Sequence, residues 1–190
     1  MDYDAQMVIQ QEIDSGERLL WAGMPKQGLV FRRSDIFMIP FSLMWGGFAI
    51  FWEIGVLNAM PDEKAGAPGL IFSLFGIPFV LIGLYMILGR FIYDSRTRKK
   101  TFYGLTDQRA VIVSGLFNKR VKSLNLKTMT DVSLSEKADG CGTIVFGQED
   151  QRMSMFAGAG FPWMGTGTPK FELIENAKQV YNQLKEHQKN

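Results

Sequence analysis

Two uncharged apolar blocks dominate the pattern of hydrophobic and polar positions along this chain. Residues 36–52 contain no charge, apolar residues continue after Glu53 to Leu57, and residues 68–89 contain no charge at all. A hydrocarbon core of about 30 Å requires about 20 helical residues. The pattern therefore predicts two transmembrane helices, 36–57 and 68–89, because the polar remainder of the chain is too small to bury both blocks in a soluble core.

The stretch between the two blocks, residues 58–67, is short and polar, so we expect an external loop that joins the helices as an antiparallel hairpin. Helices in lipid approach each other closely where small residues line the contact. Such residues recur in both blocks, as Ser42, Gly46 and Ala49 in the first and as Gly69, Ser73, Gly76 and Gly83 in the second. These stripes are the predicted contact faces.

Lysine and arginine are distributed unevenly around the blocks. Three basic residues precede the first block, five follow the second, and the loop carries only Lys64. The flanking residues are Lys26, Arg32, Arg33, Arg90, Arg96, Arg98, Lys99 and Lys100. Because positively charged flanks stay in the cytoplasm, the bias predicts that both termini are cytoplasmic. The run Arg96–Lys100 has two interpretations that are compatible: it sets the topology, and it contacts anionic lipid headgroups.

Short alternating runs separated by turn residues follow the second block. They predict six strands, Phe102–Leu105, Arg109–Ser114, Arg120–Leu126, Asp131–Ser135, Gly142–Gly147 and Arg152–Phe156. Close spacing of this kind is typical of an antiparallel meander that forms a sandwich or a barrel.

The C-terminal stretch predicts a glycine-rich loop and then an amphipathic helix. In the loop, residues 158–169, Trp163 is a candidate for contact with the membrane or another protomer; the alternative is a plain connector. Thr168 is expected to cap the helix with Pro169 in its first position. The apolar residues at helical spacing, expected to close the barrel, are Phe171, Ile174, Ala177, Tyr181 and Leu184.

The N-terminal residues 1–35 predict a short helix around Val8, Ile9 and Ile13, followed by an extended segment. That segment, residues 17–31, has two interpretations. It either packs on another part of the chain and completes the β-domain, or it lies in the membrane interface with Trp21 among the headgroups.

Net charge and composition limit the binding and catalytic functions that are expected of this chain. The net charge is only +2, which gives no reason to expect nucleic-acid binding. Cys141 and His187 are the single cysteine and the single histidine, so a cysteine-pair metal site and a Ser-His dyad are not expected. The pair Glu149-Asp150 is expected to be a solvated turn. We therefore expect no catalytic residue, no metal and no cofactor.

The stretch Tyr103–Leu126 resembles the signature of bacterial PH-like (pleckstrin-homology-like) domains found in small membrane proteins. In that signature an aromatic residue, a Leu-Thr-Xaa-Xaa-Arg hairpin turn, a strand, a glycine turn and a basic strand recur. The matching residues here are Tyr103, Leu105, Thr106, Arg109, Val111–Val113, Gly115, Lys119 and Arg120. Gly140–Ile144 and Gly16–Pro25 resemble further segments of these proteins.

The resemblance implies a membrane hairpin joined to a PH-like β-barrel or sandwich closed by a C-terminal helix, in the bacterial inner membrane. The implied function is a non-enzymatic binding or scaffold module; the alternative is an accessory subunit of a membrane enzyme or transporter complex. The implied partners are the lipid bilayer, anionic headgroups, and a second copy or another membrane protein. Phosphoinositide binding does not carry over, because the hairpin Leu105–Arg109 carries only Arg109 beside Asp107.

The expected organisation has six parts. They are an N-terminal cytoplasmic segment (1–35), a first transmembrane helix (36–57), an external loop (58–67), a second transmembrane helix (68–89), a basic juxtamembrane segment (90–100) and a PH-like domain (101–190). We also expect the chain from about residue 97 onwards to fold without the hairpin.

Overall fold

The computed structural model describes residues 2–32, 34–59, 62–116, 118–148 and 167–189. These residues form two compact units. One is a helix pair within Phe31–Tyr93. The other is an α+β unit that combines the residues up to Val30 with the described residues from Asp94 onwards.

The helix pair consists of α2 (Asp35–Ala59) and α3 (Asp62–Leu84). A π-helical turn, Tyr85–Gly89, and then α4 (Arg90–Lys99) follow α3. By length and composition, two helical stretches are long and apolar enough to cross a membrane, Asp35–Ala59 and Leu74–Lys99. The prediction of two long apolar helices is therefore confirmed.

Small residues line the contact between the two helices. Ser42, Gly46 and Ala49 are all buried on α2, as predicted. A Cβ atom added to Gly83 would lie 2.8 Å from the Cα atom of Gly46, so the backbone of α2 leaves no room for a side chain at Gly83. Gly69 and Ser73 belong to α3, but the structure does not describe whether these two residues are buried.

The helices extend beyond their predicted bounds. α3 begins at Asp62, inside the stretch expected to be a loop, and α4 makes the expected juxtamembrane segment helical through Lys99. In α4, Asp94 and Arg98 form an i,i+4 ion pair at 2.9 Å that supports the added turns.

Seven strands form two antiparallel sheets in the α+β unit. The strands are β1 (Leu19–Gly23), β2 (Phe102–Thr106), β3 (Arg109–Ser114), β4 (Arg120–Asn125), β5 (Val132–Glu136), β6 (Gly142–Phe146) and β7 (Lys170–Ile174). β1–β4 form one sheet in that order and β5–β7 form the other. No closed barrel forms among the described residues, because the two sheets do not share a strand ladder.

The core of this unit centres on Phe171, which is fully buried. Its ring lies 4.9 Å from the ring of Tyr103 on β2, 4.8 Å from Phe146 on β6 and 5.7 Å from Trp21 on β1. Aromatic pairs at such separations add to the stabilisation that burial supplies. One ring therefore connects both sheets.

Five of the predicted strands correspond to β2–β6, with ends that differ by at most one residue. The sixth predicted strand, Arg152–Phe156, lies outside the described residues, as does the pair Glu149-Asp150. β1 was not predicted as a strand. It pairs with β2, so Leu19–Gly23 belongs to the sheet and completes the β-domain.

The predicted start of the C-terminal helix was wrong. Lys170–Ile174 is strand β7, which pairs with β6, and helix α5 spans only Ala177–Lys189. The apolar residues Phe171 and Ile174 are three apart, a spacing that fitted a helix. In the structure a register shift in the β6–β7 pairing and a positive φ of 52° at Leu173 accommodate that spacing in a strand. Thr168 does not cap a helix, since its hydroxyl donates to the carbonyl of Gln148 at 3.2 Å.

The prediction that the terminal helix packs on the strands is confirmed for α5. Ala177, Val180 and Leu184 are buried in the same cluster as Phe171, and Tyr181 is partly buried against it. The apolar face of α5 therefore belongs to the core of the α+β unit.

We expect Leu184→Asp to unfold the α+β unit, because an unpaired buried carboxylate costs several kcal/mol, which is comparable to the whole stability of a small domain. Asn182→Asp, at an exposed position of α5, is the matched control, since it introduces the same carboxylate at the surface. Thermal melts of the two purified variants measure the difference. Equal thermal midpoints would contradict this packing.

The N-terminal residues also change the expectation for a fragment that starts at residue 97, because that fragment lacks β1 and Trp21. We expect residues 97–190 alone to give a poorly dispersed NMR correlation spectrum. Residues 1–30 joined to 94–190 through a flexible Gly/Ser linker are expected to give a dispersed one. A dispersed spectrum from 97–190 alone would show that β1 is dispensable.

Candidate binding surface

The turn between β2 and β3 is built around Thr106. Its Oγ1 accepts hydrogen bonds from the backbone N–H of Gln108 at 3.2 Å and of Arg109 at 2.9 Å. The same hydroxyl lies 3.0 Å from the Arg109 carbonyl, to which it donates. Threonine is suited to this position because a short hydroxyl side chain bonds to the backbone two or three residues on. The Leu-Thr-Xaa-Xaa-Arg motif is therefore partly a turn motif.

The arginine of the same motif, Arg109, binds the N-terminal segment. Its Nε lies 2.8 Å from Glu17 Oε1, and its Nη2 lies 2.8 Å from Asp14 Oδ2. Nη2 also donates to the carbonyl of Glu12 at 3.2 Å, and Nη1 donates to Ser123 Oγ on β4 at 3.1 Å. Arginine suits this position because its planar fork presents several donors in fixed directions. No periodic pattern in the sequence indicated Glu12, Asp14 or Glu17 as its partners.

The short helix α1 (Tyr3–Gln10) lies on the outer face of the four-stranded sheet. Ile9 is fully buried in a cluster with Val111 and Val113 of β3. Gly104 on β2 makes this approach possible, since a Cβ atom there would overlap the Ile9 side chain. Burying one isoleucine contributes about 1.5–3 kcal/mol, so this contact is a main attachment of α1.

Arg98 fixes the far end of the N-terminal segment. The side chain of Arg98 is 5% exposed, and its Nη2 donates to the carbonyl of Gly28 at 2.6 Å while binding Asp94. Beside this contact, Lys26 Nζ lies 3.2 Å from Asp139 Oδ2. Hydrogen bonds from the backbone N–H of Cys141 and from Lys26 hold the pKa of Asp139 below its usual value. The Lys26–Asp139 ion pair therefore stabilises the folded state at pH values above the usual carboxyl pKa, and this stabilisation is lost as the pH falls and Asp139 becomes protonated.

The predicted membrane-surface residues divide into two groups. Arg96, Lys99 and Lys100 are exposed on or after α4, and Arg32 is half-buried. Arg90 and Arg98 are buried and bonded within the protein, so neither offers its charge to a headgroup in this structure. The structures of Arg33 and Trp163 lie outside the described residues.

The buried Arg90 forms an ion pair within the helix pair. Its Nη1 lies 2.7 Å from Asp35 Oδ1, and the Arg90 and Asp35 side chains are 4% and 8% exposed. Asp35 Oδ2 accepts from the backbone N–H of Arg32 at 2.7 Å. Removing one partner of such a pair is costly because it leaves a buried charge without compensation.

Strand β4 is the exposed edge of the four-stranded sheet. It pairs with β3 on one side, and no described strand pairs with its other side. Arg120, Ser123 and Asn125 are exposed along it, and Val121 is 44% exposed. An edge of this kind presents unpaired backbone groups that another strand can bind.

Aromatic residues line a cavity of about 260 Å³ in the helix pair. The lining residues are Trp45, Phe48, Ala49, Trp52, Phe75, Gly76 and Phe79. The Glu53 carboxylate contacts Gly76, where a Cβ atom would overlap it. Neither the buried Oε2 of Glu53 nor the Nε1 of Trp45 has a hydrogen-bond partner in the structure.

The side chains that could act in catalysis or bind a metal do not form a common site among the described residues. Cys141 is a buried free thiol, and the Nδ1 of His187 lies 2.9 Å from the carbonyl of Gln183 one turn earlier. Among the residues that the structure describes, no three His, Cys, Asp or Glu side chains are grouped to hold a metal ion. The expectation that the protein has no catalytic residue stays a prediction.

Comparison with known proteins agrees with the strand pattern. The sequence profile of the bacterial PH domain family matches residues 51–188, which is more than half of the chain. Searches of the curated proteins and of the solved structures find no match.

The contacts of Arg109 predict a specific loss of stability. Arg109→Lys keeps the positive charge, but a single compact ammonium cannot reach Asp14, Glu17 and Ser123 together as the planar guanidinium does. The free energy of unfolding should therefore fall by about 1.5–3 kcal/mol, the range for a hydrogen bond to a charged group. Arg120→Lys, at an exposed position of β4, should leave it unchanged. Thermal melts of the purified full-length protein measure the difference. Identical midpoints for the two variants would show that Arg109 does not hold the N-terminal segment.

Proposed function

Because the chain belongs to the bacterial PH domain family, we propose that it is a non-enzymatic, membrane-anchored binding or scaffold module at the cytoplasmic face of the bacterial inner membrane. The helix pair is the anchor, and the α+β unit is the binding domain. The observation that carries the proposal is the presence of two outwardly apolar helices in the same chain as a PH-type pair of sheets.

The outer surface of the helix pair supports membrane insertion. Only 22% of the apolar window of each long helix is buried. Large side chains face outwards along both helices, including Phe37, Phe51 and Phe72. A soluble protein rarely exposes a continuous apolar surface of this size, and a hydrocarbon core removes it from water.

The strand order supports a hairpin with both ends on one side of the membrane. β1 precedes the helix pair in sequence and β2 follows it, yet the two strands pair directly. If the helix pair crosses the bilayer, it must therefore enter and leave on the same side. The excess of basic residues on the flanks of the helix pair favours the cytoplasm as that side.

The exposed basic residues support a contact with lipid. Arg96, Lys99 and Lys100 lie 7–11 residues after Gly89, where the second uncharged block ends. Each basic residue close to an anionic surface contributes about 1 kcal/mol of attraction. This contact would hold the start of the α+β unit near the headgroups.

The edge strand β4 is the surface that we assign to a protein partner. Strand addition uses backbone hydrogen bonds for affinity and alternate side chains for specificity. Val121 is the exposed apolar side chain of this edge, next to the basic Arg120 and Lys122. A partner strand that carries acidic residues would complement it.

The topology is tested with reporter fusions after residue 190 and between the two long helices, at residues 60–61. We expect a cytoplasmic signal from the first fusion and an external signal from the second. Changing Arg96, Lys99 and Lys100 to Gln lowers the charge bias without reversing it, so the topology should persist. Adding lysines to the loop and neutralising Arg32 and Arg33 as well should yield mixed insertion. An external C-terminus in the unaltered protein would overturn the proposal.

The binding role is tested by co-purification in mild detergent. We expect a stoichiometric protein partner with the unaltered chain, and its loss with Val121→Asp, which introduces a carboxylate at the β4 edge. Asn182→Asp on α5 is the matched control and should retain the partner. A partner that Val121→Asp retains, and that the isolated helix pair also recovers, would instead favour the accessory-subunit function, for which the aromatic cavity of the helix pair is the supporting observation.

A further inference from the structure

The aromatic cavity of the helix pair lies beside the acidic side chain of the first apolar block. Four of its lining residues, Trp45, Phe48, Ala49 and Trp52, come from α2. Their spacing of three and four residues places them on one face of that helix. Glu53 follows one turn after Ala49 and is the single charged residue between positions 36 and 57. The carboxylate and one wall of the cavity therefore belong to the same face of α2.

The rings of the wall lie close to one another. The ring centroid of Phe79 lies 6.0 Å from that of Trp45 and 5.2 Å from that of Phe75, and the rings of Phe48 and Trp52 are 6.5 Å apart. A cation within about 6 Å of such a ring is attracted by its π electrons, and quaternary ammonium groups are recognised in this way. The wall therefore offers attraction for positive charge without any hydrogen-bond acceptor.

Glu53 offers the opposite charge to the same place. Its Oε2 contacts Gly76, a residue of the cavity wall, and this buried oxygen has no hydrogen-bond partner. The other acidic residue buried on α2, Asp35, has a cation, since Arg90 pairs with it at 2.7 Å. Acidic side chains inside a membrane helix are rare, and they mark functional sites where they pair with a cation. Glu53 lacks that cation among the described residues.

We propose that the cavity binds a small organic cation of the quaternary ammonium class, held by the aromatic wall and by the charge of Glu53. Its volume of about 260 Å³ lies below the roughly 300–1,000 Å³ typical of sites for drug-sized ligands, so the occupant is a small group such as trimethylammonium. This group has no N–H and requires no acceptor from the wall, whereas Ca²⁺ and Mg²⁺ require several oxygen ligands. Weakly polar surroundings strengthen its attraction to the carboxylate.

The cation site goes beyond the binding role assigned above, since it uses neither the β4 edge nor the exposed basic residues. It rests on the proposed anchor in one respect, because lipid around the helix pair keeps screening water away from Glu53. A trimethylammonium group can belong to a free cation such as choline or to the headgroup of phosphatidylcholine. The chemistry that recognises it is the same in both cases.

The test is equilibrium binding of radiolabelled choline to the purified full-length protein in a neutral detergent at constant ionic strength. We expect saturable binding that unlabelled choline displaces. The compound 3,3-dimethyl-1-butanol has the same shape without the charge, and it should require at least a ten-fold higher concentration to displace the label. Equal potency of the two compounds would show that the cavity is only apolar and would overturn the proposal.

Substitutions identify the groups that bind the cation. Glu53→Gln should weaken choline binding at least ten-fold, and Glu53→Asp, which keeps the charge, should bind more tightly than Glu53→Gln. Trp52→Leu should weaken binding at least three-fold. Phe51→Leu is the matched control, because Phe51 is 75% exposed and does not line the cavity. Unchanged binding by Glu53→Gln would overturn the proposal, and the comparison of choline with its neutral analogue needs no variant at all.

Lipid nanodiscs distinguish the two sources of the cation. If the headgroup is the natural occupant, labelled choline should bind in phosphatidylglycerol discs and be excluded from phosphatidylcholine discs. If the free cation is the occupant, both kinds of disc should bind it equally, and either result supports the site. Absence of saturable binding in both detergent and phosphatidylglycerol discs would overturn the proposal. That outcome would leave the result of the reporter fusions, and with it the proposed anchor, unaffected.

Discussion

The pairing of β1 with β2 is the constraint on which the rest of this structure depends. Residues 24–101 separate the two strands in sequence, and that interval contains both long apolar helices. The four-stranded sheet is complete only when the chain has passed through the helix pair and returned. This requirement forces the helix pair to be a hairpin. It also means that neither end of the chain alone contains the full four-stranded sheet.

A single aromatic cluster joins the paired strands β1 and β2 to the other sheet and forms the core of the α+β unit. Phe171 on β7 contacts Trp21 on β1, Tyr103 on β2 and Phe146 on β6, so one ring touches strands from both sheets. Helix α5 covers the same cluster through Leu184. The core does not use the outer edge of β4, which is the surface that we assign to a protein partner.

Arginine has different roles at different positions in this chain. Arg98 and Arg109 bind the N-terminal segment through several directed hydrogen bonds, and Arg90 pairs with Asp35 in the helix pair. Arg96 is exposed and is one of the residues that we assign to lipid. Counting positive charges near a helix end does not separate these roles, because the count is the same whether a guanidinium faces solvent or a buried carbonyl. The headgroup contact that we propose is accordingly smaller than the basic run suggests.

The sequence by itself determined the features that depend on local pattern. Uncharged length indicated both long helices, small residues indicated Gly46 at the helix contact, and period-two alternation with turn residues indicated β2 to β6. The tertiary structure decided what depends on distant partners. β1 is a strand because β2 accepts it, and Lys170–Ile174 is a strand because β6 offers an edge there, although its apolar spacing also fits a helix. The carboxylate partners of Arg109 lie more than 90 residues away in sequence, and only the folded chain brings them to its guanidinium.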